Sequence, residues 1–341
     1  MGNAWGLVGT ALGAVSVKLQ SPGLYIVSTF FFGMSVGMSF ALRFAAAEVV
    51  PSHWASRSVT LVVSGGVIAA FVGPELSAVT RDMFHDDSLI YMGIFLMTGS
   101  FHMCAMICIA FVNFSDTGKG SSASAKSPPL TLGELQDLLA SRHFAFPILT
   151  AVVGWAAMVM PMSLVRVVMD QLDFSTTESL RVIELHFLGM YLPGFFTGTL
   201  IQCLGHKMVC YLSVLVFAVG ETIGFFPDEE NDSILLWSLS LICVGVAWNL
   251  AFTASTVRLM QKGRKENKAN RQAANDSLMF LLAGAGLFAS SYIFKAGGSE
   301  LDGWHTLNWV VVGLLGFLTV LLGFDLWLDC SVEASDEGLE T

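Results

Sequence analysis

"SGGVIAAFVGPEL" occupies residues 64–76, inside an apolar stretch long enough to cross a membrane. It carries Gly65, Gly66, Gly73 and Pro74, which weaken helices in water. It also carries Glu75, a charge that lipid disfavours. Such a segment makes sense where glycine is useful. Helices in lipid associate through close backbone approach, and small residues permit it.

The same character extends over the whole chain. Of its 341 residues, 54% are hydrophobic and 13% charged, and the mean hydropathy is +0.67. Ordinary soluble proteins have about 25% charged residues. No water-soluble fold of this size hides so much apolar surface, so the expected class is an all-α integral membrane protein. A hydrocarbon core about 30 Å thick needs about 20 helical residues. Ten segments fit, near 4–19, 24–47, 58–80, 89–113, 144–169, 182–204, 208–226, 234–257, 277–296 and 304–328. No short alternating segments suggest a barrel. The six cysteines, Cys104, Cys108, Cys203, Cys210, Cys243 and Cys330, lack zinc-type spacing and are expected as buried free thiols. The first apolar run lacks a basic leader, so no cleavable signal is expected.

An even number of spans puts both termini on one side. The loops on that side carry Arg57, Lys119, Lys126, Arg142, Lys207, Arg258, Lys262, Arg264, Lys265, Lys268 and Arg271, against only Arg81 and Arg181 opposite. The positive-inside rule therefore predicts cytoplasmic termini. The sequon at Asn231 would face outward. The expected domains are a four-helix bundle at 1–113, a cytoplasmic linker at 114–143, a six-helix bundle at 144–328 and an acidic tail at 329–341. The linker contains a predicted short amphipathic helix with Leu132, Leu135, Leu138 and Leu139 on one side.

Four plus six is asymmetric. Many transporters join two six-helix halves by a cytoplasmic loop, and two helices before Met1 would complete that pattern. Three stretches resemble the major facilitator superfamily. "LRFAAAEVVPSHWASR" resembles its fourth-helix motif through Arg43 and the small residues after it. "AAFVGPELSA" is similar to its fifth-helix Gly-Pro motif through Gly73 and Pro74. "GTLIQCLGHK" resembles its signature cytoplasmic turn through Gly198, Leu200, Gly205 and Lys207. Gln202 stands where that turn usually has Asp, and Cys203 where it has a basic residue. The resemblance implies a two-bundle fold that rocks to expose a central site alternately, with the first two helices apparently lacking. It makes Arg43 a structural or coupling charge, and Gly73, Pro74, Gly198, Gly205 and Lys207 coupling or gating positions.

Ionisable residues within spans are functional hints, because burying charge in lipid costs several kcal/mol. Lys18, Lys295 and Asp325 lie near helix ends and are expected to snorkel. Glu221 is expected to be solvated, and Glu75 to sit at a mouth near Arg81. Glu184 and His186 in "RVIELHFLGMY" could bind a proton or a substrate cation, with Arg166 as a partner for Glu184; an interfacial pair is the alternative. By the resemblance, this helix often lines the cavity. Trp248 and Asn249, mid-span in "GVAWNLAFT", could stack and hydrogen-bond a planar ligand, or simply pack. Pro161 and Pro193 should kink their helices. Glycines recur on one face at Gly2, Gly6, Gly9 and Gly13, at Gly33 and Gly37, and at Gly284 and Gly286, for static packing or for a moving interface.

"FHMCAMIC" at 101–108 reads as adaptable packing more than as a metal site. The basic run at 258–271 fits topology and anionic lipid better than nucleic acid. No catalytic or nucleotide fingerprint lies in a usable soluble context, so neither enzyme activity nor a cofactor is expected. The expected function is secondary active transport of a small organic solute by alternating access, with proton coupling left open. The partners are that solute, the lipid bilayer and, if coupled, protons. The alternative is a truncated, non-transporting membrane protein that regulates or scaffolds.

Overall fold

The protein is described by a computed structural model covering residues 1–111, 131–227, 233–261 and 268–337. The linker residues 114–130, Asn231, Lys262, Arg264, Lys265 and the last four tail residues lie outside the described residues, as does the side chain of Lys268. The described residues form helices and no strands. In chain order they are α1 (Gly2–Lys18), α2 (Pro22–Phe40), α3 (Leu42–Glu48), α4 (Ala55–Ser64), α5 (Gly66–Arg81), α6 (Met92–Ala110) and α7 (Leu132–Ala140). Then follow α8 (Arg142–Gln171), α9 (Thr176–Tyr191), α10 (Gly194–Leu204), α11 (His206–Gly224), α12 (Ile234–Gln261), α13 (Lys268–Ala296) and α14 (Glu300–Glu337).

Nine helical spans among the described residues are long and apolar enough to cross a membrane. Three of them are broken: α2 runs into α3, α4 into α5, and α9 into α10. The first predicted span, α1, has 17 residues, or about 26 Å at 1.5 Å per residue. It is slightly short of the hydrocarbon thickness, yet it packs against α2 and α6. The predicted short helix forms as α7, started by a capping box in which Thr131 and Glu134 satisfy each other's backbone N–H. The bonds from the Thr131 backbone and hydroxyl hold the Glu134 carboxyl below the usual carboxylate range.

The chain forms two compact units, Met1–Val50 with Ile68–Lys126, and Pro51–Val67 with Ser127–Thr341. Residues 51–67 thus group with the second unit, although the sequence boundaries put them in the first bundle.

In the first unit, the glycine face of α1 is a socket for rings. A Cβ at Gly6 would enter the imidazole of His102, and one at Gly13 the ring of Phe95. At Gly9 it would lie 3.2 Å from the Ser28 carbonyl of α2. Phe32 sits beside both rings, 6.3 Å from Phe95 and 6.4 Å from His102. The Nδ1 of His102 lies 3.2 Å from Asn3 Oδ1. This face is packing, locked by side chains. By contrast, nothing described lies within 4 Å of a Cβ at Gly33, Gly37, Gly73 or Gly284. The close approach expected there is absent among the described residues.

Arg43 is buried just after the α2–α3 break. It donates to the Phe40 carbonyl, and its guanidinium lies 4.2 Å from the Phe44 ring centre. Pro74 is inside α5. Glu75 is exposed. Arg81 pairs with its neighbour Asp82 at 3.6 Å and covers the Tyr91 ring, so Glu75 does not receive it.

The second unit is built around α12, which is buried continuously from Ala247 to Leu259. Val153, Ile201, Val209, Leu250, Val257, Leu318 and Leu322 form its main apolar cluster. Antiparallel to each other, α11 and α14 are joined at both ends. The Gly224 carbonyl, at the last turn of α11, accepts from Trp304 Nε1 at 2.8 Å and Asn308 Nδ2 at 3.1 Å. At the other end Lys207 pairs with Asp325 at 3.0 Å. Between them, the Tyr211 hydroxyl donates to the Leu322 carbonyl at 2.7 Å.

The cysteines are free, but Cys104, Cys108, Cys203 and Cys330 are exposed rather than buried. Their apolar context belongs to helix faces that turn outward, and only Cys210 is fully inside.

The glycine contacts predict opposite outcomes at two positions. A Cβ at Gly93 of α6 would strike the backbone carbonyl of Thr80, which cannot rotate away. Gly93→Ala should cost about 1–3 kcal/mol, as overpacking does. Gly37→Ala should stay within about 0.5 kcal/mol. Thermal unfolding of the purified chain in detergent measures both.

Candidate functional site

The α9–α10 break lies at Leu192–Pro193, where proline has no N–H to donate. Beside the break, the Met190 carbonyl accepts from Asn249 Nδ2 of α12, at 2.7 Å. Asn249 Oδ1 in turn accepts from the Thr197 hydroxyl at 2.8 Å, and the same hydroxyl bonds the Pro193 carbonyl at 2.9 Å. Both ends of the Asn249 amide thus bond the broken helix. Below the break, α10 lies against α4. Gly198 permits this, since a Cβ there would be 2.8 Å from Thr60 Oγ1 and 3.0 Å from the Arg57 Cα.

Beside Asn249, Trp248 anchors a group of five aromatic rings from four helices. It stacks on Phe252 at 5.0 Å and 8°. Trp155 of α8 meets Trp248 edge-on at 5.3 Å, and Tyr191 meets it edge-on at 6.1 Å. Phe280 of α13 meets Trp155 at 5.4 Å. Trp248 and Phe252 are fully inside, whereas Trp155, Tyr191 and Phe280 are half-buried. Tyr191 also fills the space that Gly66 leaves open. Inner rings fixed by packing therefore hold an outer set of partly accessible ring surface. Such a surface suits planar, apolar-faced molecules.

The other predicted polar residues do not join this group. His186 is completely buried. Its Nδ1 lies 2.7 Å from the Leu241 carbonyl, and its Nε2 has no partner among the described residues. Glu184 is half-buried and Arg166 is exposed, and no ion pair joins them. Glu221 is 2% exposed, with one carboxylate oxygen lacking a partner among the described residues, so it is not solvated as expected. Among the described residues, no three His, Cys, Asp or Glu side chains could hold a metal.

The signature-turn residues lead to a site that the sequence reading missed. Gly205 has φ +80°, a left-handed value that reverses the chain from α10 into α11. Gln202 donates to the His53 carbonyl at 2.7 Å. Lys207 reaches α14, where it contacts both Asp325 and Asp329. Asp325 does not snorkel. It is 1% exposed and grips Arg258 of α12 through two bonds, at 2.7 and 2.8 Å. Arg142 closes the group on Asp329 at 3.4 Å. Arg258 and Arg271 were counted as loop charges, but α12 continues to Gln261 and α13 begins by Lys268. Arg271 is buried and donates to the Leu259 carbonyl near the end of α12. The missed signal was the coincidence of charges at the same end of four spans, where none could remain unpaired.

Comparison with known proteins decides the family. The model of the Major Facilitator Superfamily matches residues 2–286. The chain belongs to that superfamily. It is 27% identical over 324 residues to the riboflavin transporter RfnT of Brucella anthropi, covering 93% of this chain and 77% of that protein. It is 24% identical to the uncharacterised transporter YddS of Bacillus subtilis, over 84% of this chain and 67% of the relative. Among solved structures, the transporter FucP in its outward conformation matches with TM-score 0.68 at 13% identity, over 94% of this chain and 81% of FucP. The human organic anion transporter MFSD10 matches with TM-score 0.65 at 16% identity, over 94% and 75%. The chain is an integral, multi-pass superfamily member with the major-facilitator fold.

The Asp325 group makes a specific prediction. Asp325→Asn leaves Arg258 buried without its charge partner, and breaking a buried pair costs about 3–5 kcal/mol. Asp325→Leu combined with Arg258→Met should recover most of that loss. Folded yield and melting temperature of the two variants, compared with the wild type, check it.

Proposed function

We propose that the chain is a secondary active transporter for a planar aromatic or heterocyclic solute, moved by alternating access. The aromatic group on α8, α9, α12 and α13 carries this reading. Trp155, Tyr191 and Phe280 would contact the solute, while Trp248 and Asn249 position them from behind. The similarity to a riboflavin transporter points to the same chemistry. Glu184 is the candidate for a polar or protonatable contact, with Arg166 of the preceding span as its basic companion. His186, enclosed as it is, would tune α9 from within. Arg43, Gly73, Pro74, Gly198, Gly205 and Lys207 would serve the movement rather than the solute. One relative in fold is described as a fucose:proton symporter, which motivates a test of proton coupling. The basic loop residues support cytoplasmic termini.

Uptake of riboflavin into cells expressing the chain, with a sugar as control solute, tests the substrate class. Trp155→Ala and Phe280→Ala should each raise the apparent KM by about 2- to 10-fold, the worth of one aromatic contact. Sugar uptake without flavin uptake, or an unchanged KM in both variants, would sink the proposal. Glu184→Gln should flatten the dependence of uptake on external pH. For orientation, a cysteine replacing Gly133 in an otherwise cysteine-free chain should resist impermeant reagents in intact cells; labelling from outside would reverse the topology.

A further inference from the structure

Where α1 ends and α2 and α6 begin, the first unit holds a cavity of about 560 Å³. Pockets that take small molecules run from about 300 to 1,000 Å³. Three aromatic side chains line it, Tyr25 of α2 and Tyr91 and Phe95 at the start of α6. Its polar lining comes from Ser16, near the end of α1, and from Gln20 and Ser21 between α1 and α2. No charged side chain is among the described lining residues. The cavity shares no residue with the aromatic group on α8, α9, α12 and α13.

Its walls are tied to one another. Gln20 Nε2 donates to the Val17 carbonyl of α1 and to the Ser88 carbonyl ahead of α6, each at 2.9 Å. The Tyr91 N–H donates to the Arg81 carbonyl, at the end of α5, at 3.0 Å. Phe95 is seated in the space that Gly13 leaves open, and Tyr25 meets it edge-on at 6.4 Å. Gln20 and Tyr91 also carry positive φ, +50° and +75°. Among the described residues four non-glycine positions do so, and two of them line this one cavity. Such backbone strain gathers where a ligand is held.

The free polar groups have a definite pattern. With its nitrogen engaged, Gln20 keeps Oε1 as an acceptor without a partner among the described residues. Ser21 accepts from the Leu24 N–H at 3.4 Å, so its hydroxyl hydrogen remains to donate. An acceptor and a donor thus stand on adjacent residues, in a cavity whose Tyr25 and Tyr91 are 50% and 51% exposed. An anion would find no cation here. Lys18 and Arg81 do not line the cavity, and Arg81 is paired with Asp82.

We propose that this cavity binds a neutral fused-ring heterocycle with an N–H and a carbonyl on one edge. Tyr25, Tyr91 and Phe95 supply the ring contacts. Gln20 Oε1 accepts from the ring N–H, and the Ser21 hydroxyl donates to the carbonyl. A charged group is selected against, because its desolvation is not repaid. Occupancy bridges α1, α2 and α6, and so stabilises the first unit by mass action. The site uses none of the proposed transport contacts and holds whatever solute is carried.

Equilibrium dialysis of the full chain in detergent against riboflavin, an uncharged fused-ring heterocycle with such an edge, tests it. Tyr25→Leu removes one ring, and Tyr91→Gly removes another while relieving the positive φ. Both should fold, as their melting temperatures without ligand check. Each should weaken riboflavin binding about 2- to 10-fold and reduce the rise in melting temperature that riboflavin gives the wild type. The chain with Trp155→Ala and Phe280→Ala should retain this binding, which separates the cavity from the proposed transport site. In that background flavin mononucleotide, which adds a phosphate, should bind at least about 10-fold more weakly than riboflavin. Binding that the tyrosine variants weaken and the Trp155→Ala, Phe280→Ala pair spares supports the cavity even if the transport reading fails. Riboflavin affinity indifferent to both tyrosine variants, binding lost with Trp155 and Phe280 alone, or equal affinity for the two flavins would overturn the proposal.

Discussion

A backbone carbonyl within a bilayer must find a donor inside the protein, because no water is there to supply one. The Met190 carbonyl is where this constraint shapes the second unit. Pro193 breaks the helix, and Asn249 reaches across from α12 to bond that oxygen. That bond fixes where α9 stops and at what point along α12 it stops. The end of α9 is Tyr191, and the neighbour of Asn249 is Trp248, so the same bond brings these two rings together. Beyond the break, Gly194 and Gly198 let α10 settle against α4. The break at Pro193 and the aromatic surface beside it are held in register by one side-chain amide.

Charge obeys the same rule more strictly. Asp325 and Glu221 are both almost wholly enclosed, yet their surroundings differ in kind. Asp325 has Arg258 in a two-bond grip and Lys207 beside it, an arrangement that compensates a carboxylate in a low-dielectric interior. Glu221, towards the other end of the α11–α14 pair, keeps one carboxylate oxygen without a partner among the described residues.

Much of this architecture was legible in the residues. Apolar run lengths located the spans, because hydropathy along one helix is a local property, but α9, α12, α13 and α14 extend four to nine residues beyond the expected bounds. Gly205 was legible as a turn, since its neighbours are a helix end and a basic start. The partners across helices were not. Asn249 and Met190 are 59 residues apart, and Arg258 and Asp325 are 67 apart. Nothing in the spacing along either helix says which face meets which. The glycines make the same point. Gly6 and Gly33 look alike in sequence, but one receives His102 and the other meets open space. The use of Asn249 is visible only with the break at Pro193 placed opposite it.

The three polar links along α11 and α14 have a mechanical meaning. Lys207 with Asp325, Tyr211 with the Leu322 carbonyl, and the Gly224 carbonyl with Trp304 and Asn308 occur at the start, near the start and at the end of α11. Apolar ridges alone would let two helices slide past each other by a step. Directional bonds at both ends forbid such axial slippage, because a shift that improves one lengthens the other. The pair behaves as a strut of fixed length that can tilt but not telescope. Any rearrangement of the second unit that preserves these bonds must carry both helices together and be absorbed elsewhere, and the broken helix at Pro193 is the natural place for the bend.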